Sequence, residues 1–468
     1  MNQPYDPITL ALHPTIFVIF GITGDLASRK LLPALINLYS KKMLPHRFSV
    51  VGFSRKPFSK EEFREYIRER LNIKPGQYKE EDIKHFLDNV IYEQGVFDSE
   101  LSYKKLLERV NSIDLRWGQC SNKLIHLSVP PDLYEGILRN ISSSGLSVPC
   151  SDETGWTRVL IEKPFGSDIE NAKNLDKLLG KLFKEEQIFR IDHYLAKEAL
   201  QNMLAFRFSN SIFEPLWNRE HIDKVHIKLF EKSGVDGRGV FYDKIGAVKD
   251  VGQNHMLAML SFITMERPKK LDAKHIRIER AKSLTKLKIM TRKAVQKSVT
   301  TAQYAGYREE SGVFDQSRTE TYFRIEATST SPKWKNVQFF LESGKCMHDT
   351  KTEVDIYFKK THKSEEENIL TFRIQPDEGI RIRFFVKTPG YEFKTESKVL
   401  KFRYSDVATF EDRPNDYERL LNDAVIGDQT LFASTDEIMA SWKFITPIID
   451  NLHKINLINY EKGAEEIL

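Results

Sequence analysis

The sequence predicts an α/β N-terminal domain on a parallel sheet, followed by an α+β domain with a large, mainly antiparallel sheet. Three observations carry this. The first third alternates short apolar runs with helix-spaced segments, the pattern of parallel strands joined by right-handed crossovers. Beyond about residue 220, extended segments follow one another with little helix between them, which favours antiparallel pairing. Finally, 468 residues exceed what one core usually organises, so two domains are expected.

The elements follow in order. Thr15–Phe20 is an apolar run of strand length, and Asp25–Met43 has helical spacing with Leu31, Leu32, Leu35 and Leu38 on one side. Arg47–Phe53 reads as the next strand, with helical stretches at Lys60–Leu71, Glu80–Asn89 and Leu101–Ile113. Lys123–Ser128, Arg158–Ile161 and Gln187–Ile191 read as further strands, separated by helices at Asp132–Ser142 and Ile169–Phe183. In the second part Lys224–Phe230 is a strand and Asp250–Phe262 a helix. Extended segments then run Thr319–Ala327, Val337–Leu341, Glu353–Phe358, Ile369–Ile374 and Arg381–Val386, before helices at Asp416–Val425 and Thr435–Asn451. With no repeat and no low-complexity linker, the boundary is drawn near residues 190–200, giving domains 1–195 and 196–468.

Composition excludes several classes. Hydrophobic residues make up 40% and charged residues 29%, an ordinary globular balance. Ile16–Phe20 is too short to span a bilayer, and no secretory signal precedes it, so a soluble, cytoplasmic chain is expected. The three cysteines, Cys120, Cys150 and Cys346, are widely spaced, which suggests a reducing compartment and no disulfide framework. The net charge is +5, but residues 267–297 hold twelve Lys or Arg against two acids, about +10, leaving about −5 elsewhere. That run is read as a solvated surface helix or loop rather than a nucleic-acid patch.

Phe17-Val18-Ile19-Phe20-Gly21-Ile22-Thr23-Gly24-Asp25-Leu26-Ala27 reads strand, tight turn, helix start. Gly21 permits a turn that a Cβ would obstruct, and Gly24 lets the chain pass close to a pyrophosphate facing the helix amides. Gly-x-x-Gly is weak alone; in a first βαβ unit it points to a Rossmann-like dinucleotide site. The second strand ends Gly52-Phe53-Ser54-Arg55-Lys56, without the carboxylate that usually holds an NAD ribose. Arg55 therefore favours NADP through a guanidinium–phosphate fork, the alternative being a solvated arginine.

Four later segments concentrate reactive groups. In Glu162-Lys163-Pro164-Phe165-Gly166, Lys163 precedes a proline at a strand end, where open α/β sheets bind ligands. In Arg190-Ile191-Asp192-His193-Tyr194-Leu195-Ala196-Lys197-Glu198, a helix starting near Tyr194 would set His193 and Lys197 one turn apart, both able to grip an anion. Asp250 and His255 are five apart, so a helix places them on neighbouring rather than identical faces. The fourth segment is Ser343-Gly344-Lys345.

Together these runs, with Ile212–Arg219 and Tyr417–Leu421, strongly resemble the glucose-6-phosphate dehydrogenase family in order along nearly the whole chain. The resemblance implies oxidation of D-glucose 6-phosphate at C1 to 6-phospho-D-glucono-1,5-lactone with hydride transfer to NADP+, the first step of the oxidative pentose phosphate pathway, without a metal. It makes His255 the general base and Asp192 its partner. His193, Tyr194 and Lys197 would hold the phosphate, Glu231, Asp250 and Lys345 the sugar hydroxyls, and Lys163 both substrate and cofactor. Gly21, Thr23, Gly24, Asp25, Leu26 and Arg55 would hold the dinucleotide, and a homodimer or homotetramer is implied. One departure stands out: where the family often has a second basic residue five beyond that lysine, this chain has Thr350, followed by Lys351. The alternatives are a non-catalytic NADP-binding homologue, a dehydrogenase of another aldose phosphate, or use of NAD.

Overall fold

The computed structural model describes residues 13–467 apart from 72, 75, 151–154, 361–366 and 408–412. Its chain divides into two compact units. The first comprises the described residues up to Ala196 together with Lys270–Ile276 and Pro414–Thr435. The second holds Lys197–Lys269, Arg277–Arg413 and the residues from Asp436 onward. A single cut near residue 195 therefore does not capture the first unit, because two later segments return to it.

In the first unit, β1 (Thr15–Phe20), β2 (Phe48–Ser54), β3 (Val90–Gln94), β4 (Asn122–Leu127), β5 (Thr157–Glu162) and β6 (Ile188–Ile191) form a parallel sheet ordered β6-β5-β4-β1-β2-β3. Every residue of β1, β2 and β4 is buried, as expected of strands covered on both faces by crossover helices. The first helix continues over 27–40 and buries Leu31, Leu32, Leu35 and Leu38, the stripe read from spacing. Strand order reverses at β1 and β4, the place where open sheets of this kind leave a crevice.

The returning segment closes the sheet's other edge. Phe432–Ala433 (β15) pairs antiparallel with β6, and the helix Asp416–Ile426 lies against the 27–40 helix. Asn37 and Lys41 each hydrogen-bond Glu418, at 2.9 and 3.0 Å, and Arg158 donates to the Ala424 and Val425 carbonyls at 2.6 and 2.7 Å. A guanidinium on those carbonyls satisfies a helix C-terminus and its dipole.

The second unit is built on nine strands: β7 (Ile222–Phe230), β8 (Val299–Tyr304), β9 (Tyr322–Ala327), β10 (Gln338–Gly344), β11 (Lys351–Phe358), β12 (Ile369–Gln375), β13 (Gly379–Lys387), β14 (Thr395–Arg403) and β16 (Leu457–Tyr460). Their order is β14-β13-β12-β11-β7-β10-β9-β8-β16. Only β7/β10 and β8/β16 are parallel, so the expectation of a mainly antiparallel sheet holds. The helix Glu198–Ser209 packs on β12, with Phe206 edge-on to Phe372 at 5.3 Å. A helix over 248–264 packs on β10.

Two expectations are corrected. Cys120 and Cys150 are joined as a disulfide. Spacing alone hid this: the two residues flank the entrances of β4 and β5, which parallel pairing brings side by side, as the bonds Lys123 N to Trp156 O and Cys150 N to Gly155 O record. The basic run at 267–297 is not wholly solvated either. It forms helices at Ala273–Thr285 and Arg292–Ser298, with Arg277 buried and Arg280 fully so. Arg280 lies 2.7 Å from Glu437 and sits over the Phe262 ring, a paired and stacked cation rather than a surface charge.

Candidate active site

The first unit carries the residues expected to hold the dinucleotide. Gly21 leaves β1 with φ +77°, and a Cβ there would lie 2.2 Å from the Ser128 carbonyl oxygen, so only glycine fits between β1 and the end of β4. The Gly24 amide closes the turn on Gly21 O at 2.8 Å. Thr23 Oγ1 bonds Ser54 Oγ at 2.7 Å, tying the turn to the end of β2, while Tyr66 donates to Thr23 O. Asp25 and Leu26 open the helix, and Asp25 pairs with Arg29 at 2.8 Å on the surface. Arg55 stands exposed directly after β2, with no acid at that strand end. This cradle suits a dinucleotide: a tight glycine turn, a helix N-terminus and an unobstructed guanidinium.

Lys163 follows β5 and is half-buried. Its neighbour Glu162 is fixed twice, by Tyr134 donating to its carbonyl at 3.1 Å and Tyr417 donating to its carboxylate at 3.1 Å. Burial beside that carboxylate pushes both phenols well above their ordinary range. After β6, buried Asp192 accepts the Tyr194 amide at 3.0 Å, and Leu195 and Ala196 donate back to residues 192 and 193. Arg190, on β6 itself, is held by Asp176 and Glu185 at 2.8 and 2.9 Å. The Asp192 carboxylate thus imposes turns over 193–196, and the helix starts only at Glu198, with Lys197 extended at its cap. The expected single helical turn joining His193 to Lys197 is therefore absent.

The second unit carries the residues expected to meet the sugar. The parallel register of β7 and β10 sets Phe230 opposite Gly344, so Glu231 and Lys345 leave their strands side by side and form an ion pair. Lys345 is buried, with its ammonium 5.2 Å from the Tyr242 ring centre. Tyr460 donates to its carbonyl at 2.6 Å and its amide donates to Thr321 O at 3.0 Å. Asp250 is half-buried and His255 is buried on the 248–264 helix. Over Val248–Met256 that helix is π-wound. Bonds from i to i+5 widen the turn beyond four residues and so reduce the angular offset between residues five apart, and Asp250 and His255 share a face more nearly than α spacing suggested.

Thr350 Oγ1 accepts the Lys232 amide at 3.0 Å. Lys351 lies 5.4 Å from the Phe230 ring centre and 4.0 Å from Glu353, engaged on the sheet. Two further residues, Tyr242 beside Lys345 and Glu320 within an extended segment, carry no signal in the sequence: nothing in the spacing around Glu320 marks a carboxylate that turns inward.

The sequence model of the family described as "Glucose-6-phosphate dehydrogenase, NAD binding domain" matches residues 18–202, and that described as "Glucose-6-phosphate dehydrogenase, C-terminal domain" matches residues 204–466. The chain belongs to the glucose-6-phosphate dehydrogenase family. It is 41% identical over 463 residues to the glucose-6-phosphate 1-dehydrogenase of Aggregatibacter actinomycetemcomitans, covering 96% of this chain and 93% of that one. To the enzyme of the same name from Borreliella burgdorferi it is 38% identical, covering 96% and 94%. A solved glucose-6-phosphate dehydrogenase in complex with its substrate glucose-6-phosphate matches at TM-score 0.90 and 30% identity, over 97% of this chain and 95% of that one. The family fixes a nicotinamide dinucleotide as cofactor. No helix among the described residues is long and apolar enough to cross a membrane.

Proposed function

We propose that the chain oxidises D-glucose 6-phosphate at C1 to 6-phospho-D-glucono-1,5-lactone, with NADP+ as hydride acceptor. The observation that carries this is family membership running unbroken through both domains, residues 18–202 and 204–466. When bound, the nicotinamide ring supplies the hydride-accepting carbon. His255 is the general base: its imidazole takes the C1 hydroxyl proton as the C1–H bond breaks and the ring oxygen's neighbour becomes a carbonyl. Asp192 steadies the resulting imidazolium. His193, Tyr194 and Lys197 bind the phosphate, and Glu231, Asp250 and Lys345 grip the sugar hydroxyls. Lys163 serves substrate and cofactor together. Holding both reactants in register supplies much of the rate.

Arg55 supports NADP over NAD, since an exposed guanidinium stands where an NAD enzyme would present a carboxylate. The test is turnover of purified protein with glucose 6-phosphate and either cofactor, followed by the absorbance of reduced nicotinamide. Formation of product with NADP+ is expected, and silence with both cofactors refutes the reading. A homodimer or homotetramer on the large sheet is in keeping with exposed Val399, Leu400 and Phe402 on β14, and sedimentation tests it. The cytoplasm is the proposed compartment, on family grounds.

A further inference from the structure

Segment 317–320 grips the approach to the His255 helix at four points. Ser317 donates its hydroxyl to Asp243, and Thr319 Oγ1 donates to Asp243 O at 2.7 Å. Ala247 N donates to Glu320 O at 3.1 Å, and Val248 N donates to Glu320 Oε1 at 3.0 Å. Val248 is the first residue of the π-wound stretch, so Glu320 caps the helix from outside it, across 72 residues of sequence. The fit is close. Gly246 has φ +72°, and a Cβ there would lie 2.4 Å from Glu320 Oε1, so the loop has given up its side chain to admit this carboxylate.

The next residue points the other way. Thr321 O accepts the Lys345 amide at 3.0 Å. Two consecutive residues therefore hold, on one side, the helix carrying Asp250 and His255, and on the other the strand end carrying Lys345. Neither Glu320 nor Thr321 is among the groups assigned to substrate.

We infer that Glu320 is a positioning residue for the reaction, setting through Val248 the axial placement of the helix that presents Asp250 and His255 alongside Lys345. The inference rests on the reading that His255 is the base. Its physical content is the acceptor oxygen at that distance: remove it and the Val248 amide is orphaned in the interior, and the first turn shifts to find water. A displacement of the base by a fraction of its reach is costly, because proton abstraction needs hydrogen-bond distance.

The test compares Glu320→Ala, Glu320→Asp and Glu320→Gln in the full chain, with glucose 6-phosphate and NADP+, and measures NADPH affinity by fluorescence. Ala removes the acceptor and Asp withdraws it by one methylene. Both should lower kcat/KM about tenfold or more, mainly in kcat, with NADPH affinity unchanged. Gln keeps an oxygen at the same reach and should restore most of the loss. If Ala does not fold, the Asp and Gln pair decides alone. Wild-type kcat in the Asp variant, or equal damage in Asp and Gln, overturns the inference. His255→Asn is run in parallel: if that variant turns over normally the parent reading falls, whereas an inactive His255→Asn beside an unaffected Glu320→Asp removes only the role given to Glu320.

Discussion

At position 55 the proposed preference for NADP+ rests on a single exposed guanidinium. Arg55→Ala should lower kcat/KM for NADP+ by about ten- to a hundredfold, the worth of a charge-assisted contact, while leaving NAD+ nearly unaffected. Equal losses with both cofactors would show that Arg55 serves the fold or the pyrophosphate rather than the 2′-phosphate. His255→Asn should reduce kcat by about a hundred- to ten-thousandfold while glucose 6-phosphate still protects or binds with ordinary affinity. Thr350 offers a third test. Because Lys351 is occupied by Phe230 and Glu353, Lys351→Ala should leave KM for the sugar phosphate unchanged, and Thr350→Arg should lower it. A raised KM in Lys351→Ala would instead make that lysine the stand-in. At this scale the sequence was legible wherever chemistry and backbone need coincide, as at Gly21, whose turn no other residue could make. It was opaque where a role depends on a neighbour remote in sequence. Nothing around Asp192 announces that its carboxylate will take the Tyr194 amide and delay a helix, and Glu231 meets Lys345 only through the register of β7 and β10.

Among the elements, the 248–264 helix carries a pH signature. Burial pushes Glu320 up to about 7, against the pull of the Val248 amide and Lys249. Tyr242 and Tyr307 lie within its field, and Arg318 and His453 line the same cavity of about 310 Å³. A carboxyl whose folded pKa exceeds its unfolded value keeps its proton longer in the native state. Stability from this group is therefore full below about 4.5, declines as pH rises to about 7, and is level above that. Glu320→Gln should flatten that limb, leaving the variant more stable than the parent at pH 8 by roughly 1–3 kcal/mol and not at pH 4. Urea melts at the two pH values check it, and parallel curves for parent and variant would refute it. Periodicity found the elements whose faces are cleanly apolar, such as β1 and the 27–40 helix. It missed β14, whose nine residues are all exposed and offer no inward face. It missed β8 because two of its buried residues are polar: Thr301, and Gln303, which donates to Ser317 O and Thr319 O. It misjudged Ala273–Thr285 because buried Arg277 and Arg280 count as charge in a sequence and as core in the structure.

For the whole molecule, the disulfide is the plainest lever. Cys120–Cys150 closes a loop of 30 residues, for which chain entropy gives about 3–4 kcal/mol of stabilisation. Reduction, or Cys150→Ser, should lower the thermal midpoint by several degrees while kcat/KM stays within error, since neither cysteine belongs to the proposed site. An unchanged midpoint would mean that the bond constrains nothing. The two-domain architecture was legible in the change of pattern after residue 220, but the return of 414–435 was not, because a helix does not declare which sheet it will join.

That return governs how the polypeptide can be made. As the ribosome releases its N-terminal half, β6 stands with one flank unpaired and Glu162 without Tyr417, whose phenol arrives only after the β14 hairpin has been translated. Nascent chains must therefore wait with a sticky border showing, which is when a chaperone has most to offer and when premature termination does most harm. A stop codon after residue 413 would leave β6 without its antiparallel neighbour and Glu162 without the Tyr417 hydroxyl.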